Sequence, residues 1–422
     1  MKIENFGKNF AFSPKFYYEP KSEREVLDIL DKHKDGKIRC IGSGHAWNKG
    51  IVSEDVFLDI KKLNSIKMDE DVVEVGGGCK LKDLIPFLTN KGFMLPAMGG
   101  IMEQSVAGVA STGTHGTGNS SFSHFIQSMK VAGYSENGNA KIYEYDGGEK
   151  LKAARASVGC MGVIVSMKIK CVPRYYILES TKALSNLTDV LKEESEWPLM
   201  QTVVIPYAWE FFIFRKKRIE TRSFVDSIKA FVLRQVDFLT IEILPHIILK
   251  FILLLKNNKL VVSYYKDVLT KVLTPISVIN KDYVGLTFHT KHHYYFRHVE
   301  MEVFIPEAKM LEAFETIKNI VEWFAGRESN LSPHLEQELK DDFGKYTLHY
   351  TMFIRKVFPD NTLISMSAGG VYYAMGFFTY DKEENRNEYY NFTKKLAEIL
   401  VRDYGARLHW GKHFPLTHNE VS

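Results

Sequence analysis

Two loops hold the residues whose types and spacing could do chemistry. Residues 99–118 read GGIMEQSVAGVASTGTHGTG, a run of glycine and hydroxyl side chains without Lys or Arg. Glycine removes the Cβ that would keep a ligand off the main chain, while bare N–H groups and hydroxyls supply donors; the run suits an anion held against backbone. A GxxxxGK[ST] phosphate loop needs a Lys after its last Gly, and none follows. A G-x-G-x-x-G fingerprint with its acidic ribose partner is also missing, which disfavours a Rossmann dehydrogenase. What fits is a pyrophosphate cradle of a third kind. Gly42-Ser43-Gly44-His45, after the apolar run Ile38–Ile41, is its second wall.

Such loops need a scaffold. Lys21 to His33 predicts a helix, 37–41 and 56–60 strands, and Val72–Val75 a strand ending in glycines. Lys80 to Lys91 predicts a helix, a short one begins near Gln104 and Ser105, and strands follow near 126–134, 141–145 and 161–172. Strand, helix and Gly-rich turn at that pace make an α+β nucleotide-binding unit over residues 1–175. Residues 176–400, with longer helices and aromatic strands such as VYYAMGFFTY, read as a second domain. The helix expected at Phe231–Leu255 is the most apolar stretch, with Glu242, His246 and Lys250 on one face. No uncharged run there reaches the ~18 residues of a bilayer span. Two readings stay open: a helix docked on protein, or a membrane-surface contact helped by Lys216, Lys217, Arg218 and Lys256.

Composition excludes more than it assigns. The 422 residues are 45% hydrophobic and 25% charged, as in an ordinary globular protein. A net charge of +4 is too small and too evenly spread to argue for nucleic acid. Cys40, Cys79, Cys160 and Cys171 have no metal spacing, so no metal site is expected and the thiols are expected to be reduced. MKIENFGKNF lacks an apolar signal core, which makes the cytoplasm the default compartment, with the membrane surface the alternative. The oligomeric state is not readable.

Six segments in order resemble the sugar-1,4-lactone oxidases of the vanillyl-alcohol-oxidase (PCMH) type of FAD flavoprotein, which include gulonolactone, arabinonolactone and alditol oxidases. They are FAFSPKFYYEPKSEREVLDIL, CIGSGHAWN, LPAMGGIMEQSVAGVASTGTHGTG, AARASVGCMGVIVSMKI, MEVFIP and RLHWGKHF. The resemblance implies an α+β fold with an FAD-binding domain at 1–175, a substrate (cap) domain at 176–400, and a segment 401–422 returning to the flavin. It implies FAD bound covalently through His45, although Ala46 stands where the family usually has Ser. Gly42, Ser43, Gly44, Gly100, Ser105, Gly108, Ser111, Thr112, Gly113, Thr114, Gly116, Thr117 and Gly118 would hold the pyrophosphate, helped by the N-terminal end of the short helix near Ser105. Gly162 and Ile164 would lie on the adenine side.

Three catalytic expectations follow from the same likeness. Lys412 would handle the substrate hydroxyl, and Gly99, which is Ala in a dehydrogenase cousin, would leave oxygen a path to the flavin. The family's Glu and Arg, two residues apart on a strand, align with Tyr350 and Met352, and its His-Phe-Thr with Phe377-Phe378-Thr379. That implies a less hydroxylated substrate, or a pocket rebuilt from Tyr350, Tyr372 and Tyr373. Glu302 is assigned to domain packing and His115 to a structural role in the cradle. The implied reaction is oxidation of a lactone or polyol CH–OH with O2 as acceptor. The alternatives are the same oxidase with a less polar alcohol, or a non-catalytic flavin-binding protein.

Overall fold

The computed structural model describes residues 1–273, 276–287, 297–380 and 386–417. Its first half forms where the sequence places short strands between capped helices. Helix Glu23–Lys32 starts at Ser22, whose hydroxyl accepts the Glu25 N–H at 3.2 Å, and buries Val26, Ile29 and Leu30 on its i, i+3, i+4 face. It borders a parallel sheet in which Val56–Asp59 lies between Phe16–Tyr18 and Ile38–Ile41. Beside it an antiparallel sheet runs in the order Ala140–Tyr145, Ile126–Tyr134, Val163–Lys170, Val72–Gly76, Ile66–Asp69. One apolar core fills the space between these sheets and helix Leu81–Asn90.

From Tyr176 the chain builds a separate eight-stranded antiparallel sheet. Its order is Ser277–Asn280, Tyr176–Leu184, Glu210–Ile219, Gln201–Ile205, Met352–Val357, Tyr372–Tyr380, His298–Pro306 and Arg407–Leu408. Alternation of side chains across each strand gives this sheet two different faces. Val299, Met301, Val303, Met352, Ile354, Met375 and Phe377 point into a core closed by helices Met310–Phe324 and Arg386–Tyr404. The opposite parity faces the FAD-binding half. Segment 401–422, expected to return to the flavin, first joins the sheet edge through Arg407–Leu408 and then reaches back through His409–Lys412.

The two halves meet along residues 116–121. Gly118 donates its N–H to Lys356 O at 2.8 Å, Thr117 donates its hydroxyl to Met200 O, and Ser120 donates to Pro359 O at 2.7 Å. Gly118 sits at φ +64, and a Cβ there would overlap the Pro198 carbonyl, so this seam demands glycine.

The 231–255 helix is broken. Helix Phe224–Asp237 gives way to a wide turn over Phe238–Ile243 before helix Leu244–Leu254, which has Pro245 in its first turn, where no intrahelical N–H is needed. His246 and Lys250 turn inward onto Tyr380, through a 2.8 Å contact from Nδ1 to the phenol oxygen and a cation–π approach of 5.2 Å. The Glu242 side chain lies outside the described residues.

Candidate functional site

Both glycine-rich loops open on one cavity of about 650 Å³ between the halves. Strand Ile38–Ile41 delivers Gly42–His45 to its wall, and Gly42 has to be glycine because a Cβ would overlap Ser105 Oγ. Gly99, Gly100, Ser105, Gly108, Ser111, Thr112 and Thr114 line the facing wall, and Gly162 and Ile164 the far end. His45 stacks on Phe6 at 5.0 Å between ring centres. Burial pushes its pKa down from 6.5 to about 4, so the ring is neutral at pH 7.

Two expectations for the cradle change. Gly113, Gly116, Thr117 and Gly118 do not line the cavity: Gly113 ends the short helix at φ +63, and the others form the seam described above. The N-terminal end of helix Val106–Ser111 is also not free for an anion. Val106 and Ala107 donate to the carbonyls of Cys79 and Gly77 at 2.8 and 2.9 Å, and Gly108 to Ser105 Oγ at 3.3 Å. The helix presents its flank instead.

The other half of the cavity holds a buried charge cluster that the sequence reading misplaced. Glu300 and Glu302 project from strand His298–Pro306, 3% and 1% exposed. Arg355, from the next strand but one, reaches Glu302 at 2.6 Å and Glu300 at 4.0 Å, and Lys412 pairs with Glu300. His115 Nε2 stands 3.4 Å from Glu302, while its Nδ1 faces the Gly116 carbonyl at 2.9 Å. His409 Nδ1 accepts the Gly411 N–H at 2.8 Å, leaving its proton on Nε2. Burial drives that ring well below its ordinary pKa.

The two carboxyls are split by environment. Burial raises Glu300 above 4.5, with Glu302 adding to the shift and Lys412 opposing it. Burial would raise Glu302 too, but Arg355 and His115 outweigh it and hold that carboxyl well below the usual range. Oxygens Glu300 Oε1 and Glu302 Oε2 are buried without a protein hydrogen-bond partner. The donor atoms of His115, Glu302 and His409 cluster within 4.8 Å, but Arg355 on the same carboxylate makes this an ion-pair network and a poor cation site.

Glu302 is thus part of the cavity and not of domain packing, and the Glu/Arg alignment slips by three residues. On strand Met352–Val357 the cavity-facing pair is Phe353 and Arg355, while Met352 is fully buried in the core behind. Arg355 is the cation this strand brings to the cavity, and Phe353 precedes it by two residues. Tyr350 does line the cavity, with its hydroxyl 3.5 Å from His246 Nε2. Tyr372 and Tyr373 do not: Tyr373 donates to Glu194 at 2.7 Å, and Tyr372 joins a separate core with Phe304. Phe377 also faces the core, whereas Phe378 faces the cavity. Glu300 had been overlooked; two acids at i and i+2 in a largely apolar nine-residue strand were the available signal.

Beyond this cluster much of the lining is apolar, although Glu179, Gln201, Lys216, Arg234 and Asn280 also reach the cavity. Val203, Phe212, Phe214, Phe353 and Phe378 from the sheet face Ala230, Leu249, Leu269 and Leu273 from the helices of 224–273.

A flavin dinucleotide fits the residues present. The volume lies within the roughly 300–1,000 Å³ of ligand sites. Ser43 Oγ, His45 Nδ1 and Gln104 Oε1 are buried along it with no protein partner, a cost that a bound polar ligand relieves. Gly42, Gly44, Gly100, Gly108, Ser111 and Thr112 would flank its diphosphate.

Comparison with known proteins agrees. The FAD binding domain family matches residues 14–138, and the D-arabinono-1,4-lactone oxidase family matches residues 167–422. A long-chain alcohol oxidase from an uncultured marine euryarchaeote is 31% identical over 99% of this chain and 90% of its own. L-gulonolactone oxidase of Mus musculus is 23% identical over 98% of this chain and 89% of its own. The cholesterol oxidase of B. sterolicum shares the fold, with a TM-score of 0.71 at 13% identity, covering 98% of this chain and 86% of that one. With a cradle matched over its first half and a cap matched over the rest, the chain belongs to the D-arabinono-1,4-lactone oxidase family and is an FAD-dependent oxidase of a lactone or alcohol.

Proposed function

We propose that the substrate is an alcohol with an extended apolar tail, whose CH–OH end meets the charge cluster and whose tail lies in the apolar arm. The observation that carries this is the division of one cavity into two chemistries. Arg355, Glu300, Glu302 and Lys412 supply its charge, and Val203, Phe212, Phe214, Phe353 and Leu249 its apolar lining. A polyol or sugar lactone would leave its hydroxyls unpaired against that arm, at a cost of about 1–3 kcal/mol each. The relative that acts on long-chain alcohols supports the same choice.

FAD, when bound, supplies the hydride acceptor and passes the electrons to O2. The remaining work falls to side chains. The Lys412 ammonium donates to the substrate oxygen and holds it. Glu300 Oε1, buried and without a protein hydrogen-bond partner, takes the hydroxyl proton as the carbon gives up hydride, and its raised pKa suits a base. Arg355 keeps Glu302 ionised beside it. His45, neutral and with Nδ1 unpartnered, is the attachment point for the flavin. Gly99, on the cavity wall beside the Thr114 methyl, keeps the approach for O2 open.

The test is peroxide release by the holoenzyme on a panel of aldonolactones, alditols and primary alcohols of increasing chain length. The expected result is a kcat/KM that climbs with chain length and stays low for the sugars. A preference for lactones or alditols rejects the apolar-tail assignment, and no turnover of any substrate would leave the non-catalytic reading.

A further inference from the structure

Helices Phe224–Asp237 and Leu244–Leu254 present the wrong face to solvent. Of the twenty-one exposed large apolar side chains among the described residues, fourteen fall between Phe224 and Val268. Ile228, Phe231 and Val232 stand at i, i+3, i+4 on the first helix, and Ile247, Phe251 and Leu254 at i, i+4, i+7 on the second, with Phe231 69% and Leu254 70% exposed. Two polar side chains point inward: Arg234 donates to Val284 O at 2.6 Å, and His246 bonds Tyr380. A surface helix of a globular protein has the reverse arrangement, and a contiguous outward apolar face marks a binding surface.

Charge identifies what covers it. Residues 222–271 carry eight Lys or Arg against four Asp or Glu, so the whole net charge of +4 sits in this segment and the rest of the chain balances to zero. The even spread expected from composition does not hold. Lys229, Lys256, Lys259, Lys266 and Lys271 are all exposed around the apolar face. A second copy packed on it by two-fold symmetry would bring like charges together. An anionic lipid surface complements both the apolar face and its basic rim. No described helix is long and apolar enough to cross a membrane, so the contact is parallel to the surface.

We propose that the outward face of residues 224–268 docks in the head-group layer of an anionic bilayer. Helix Leu244–Leu254, whose inner face (Pro245, His246, Leu249) lines the cavity, then separates lipid from the apolar arm. This last placement rests on the apolar-tail reading, because it gives a membrane-dissolved alcohol a short path to the site; the docking itself does not.

The experiment is flotation of the flavin-loaded protein with vesicles of phosphatidylcholine alone or mixed with phosphatidylglycerol. Wild type should float with the anionic vesicles and be released by salt. Lys256→Glu with Lys259→Glu should weaken partition at least roughly 25-fold, since each lysine near an anionic surface is worth about fivefold. Phe231→Ser with Phe251→Ser should weaken it more than about tenfold. Flavin content and peroxide output on a short, water-soluble alcohol should stay at wild-type levels in both variants, which shows that they fold. Failure of the wild type to float at low ionic strength, partition unchanged in both variants, or a vesicle-free dimer that buries this face would each overturn the docking. An active oxidase that does not float sinks this inference alone, whereas a floating enzyme that prefers sugars sinks only the substrate reading.

Discussion

At the scale of single residues, two side chains carry sharp expectations. His45 was recognisable because a histidine following Gly-Ser-Gly acquires meaning beside a second glycine-rich loop. His45→Ala should make the yellow chromophore extractable by acid while the protein still binds FAD and retains reduced activity; acid-stable flavin in that variant would refute the linkage. Glu300 could not be assigned from sequence, since its role depends on Lys412, 112 residues away, and on burial that no local pattern reports. A base must be ionised to work, and burial raises the pKa of Glu300. Accordingly kcat/KM should fall tenfold per unit on the acid side, below an apparent pKa above the ordinary 4.5. Glu300→Gln should lower kcat/KM by about 10²–10⁴ and abolish that acid limb.

At the scale of elements, alternation decided which assignments survived. The strands and helices of the first half were legible because apolar period, caps and glycine turns agree: expected strand 56–60 is Val56–Asp59, and expected helix 80–91 is Leu81–Asn90. The cap strand Met352–Val357 was misread by three residues. On a strand such a slip exchanges the buried face for the cavity face, which is why Met352 replaced Arg355 in the alignment. Cradle residues failed for a different reason. A glycine serving a phosphate and one serving a domain seam look alike in sequence, and only the neighbour tells them apart. Gly118→Ala tests the seam: it should lower Tm well beyond Gly405→Ala. The two glycines share φ +64, but Gly405 has open space where Gly118 meets the Pro198 carbonyl. The control substitution should cost only backbone strain, about 1–2 kcal/mol.

At the scale of the molecule, fold class and the two-part architecture followed from the sequence, whereas the inverted helices did not, because hydropathy reports how apolar a helix is and not which way it faces. Acid stability is a further whole-molecule property. His349, 2% exposed, is held neutral in the cap, with Nδ1 3.3 Å from Thr347 O and Nε2 3.2 Å from Thr379 Oγ1. Burial lowers its pKa from 6.5 to about 4. Protonation therefore favours the unfolded chain: stability is complete above 6.5 and is lost as pH falls toward 4, by about 2 kcal/mol at pH 5. His349→Gln should flatten the fall in Tm between pH 7 and 5; an unchanged slope would refute this origin. The threading of Lys412 through the site also sets an order of assembly. Gly42–His45 and Gly99–Thr114 leave the ribosome hundreds of residues before Lys412. A nascent chain therefore completes both glycine-rich loops well before Glu300 has its cation, and the charge cluster is whole only once His409–Lys412 reach the cavity.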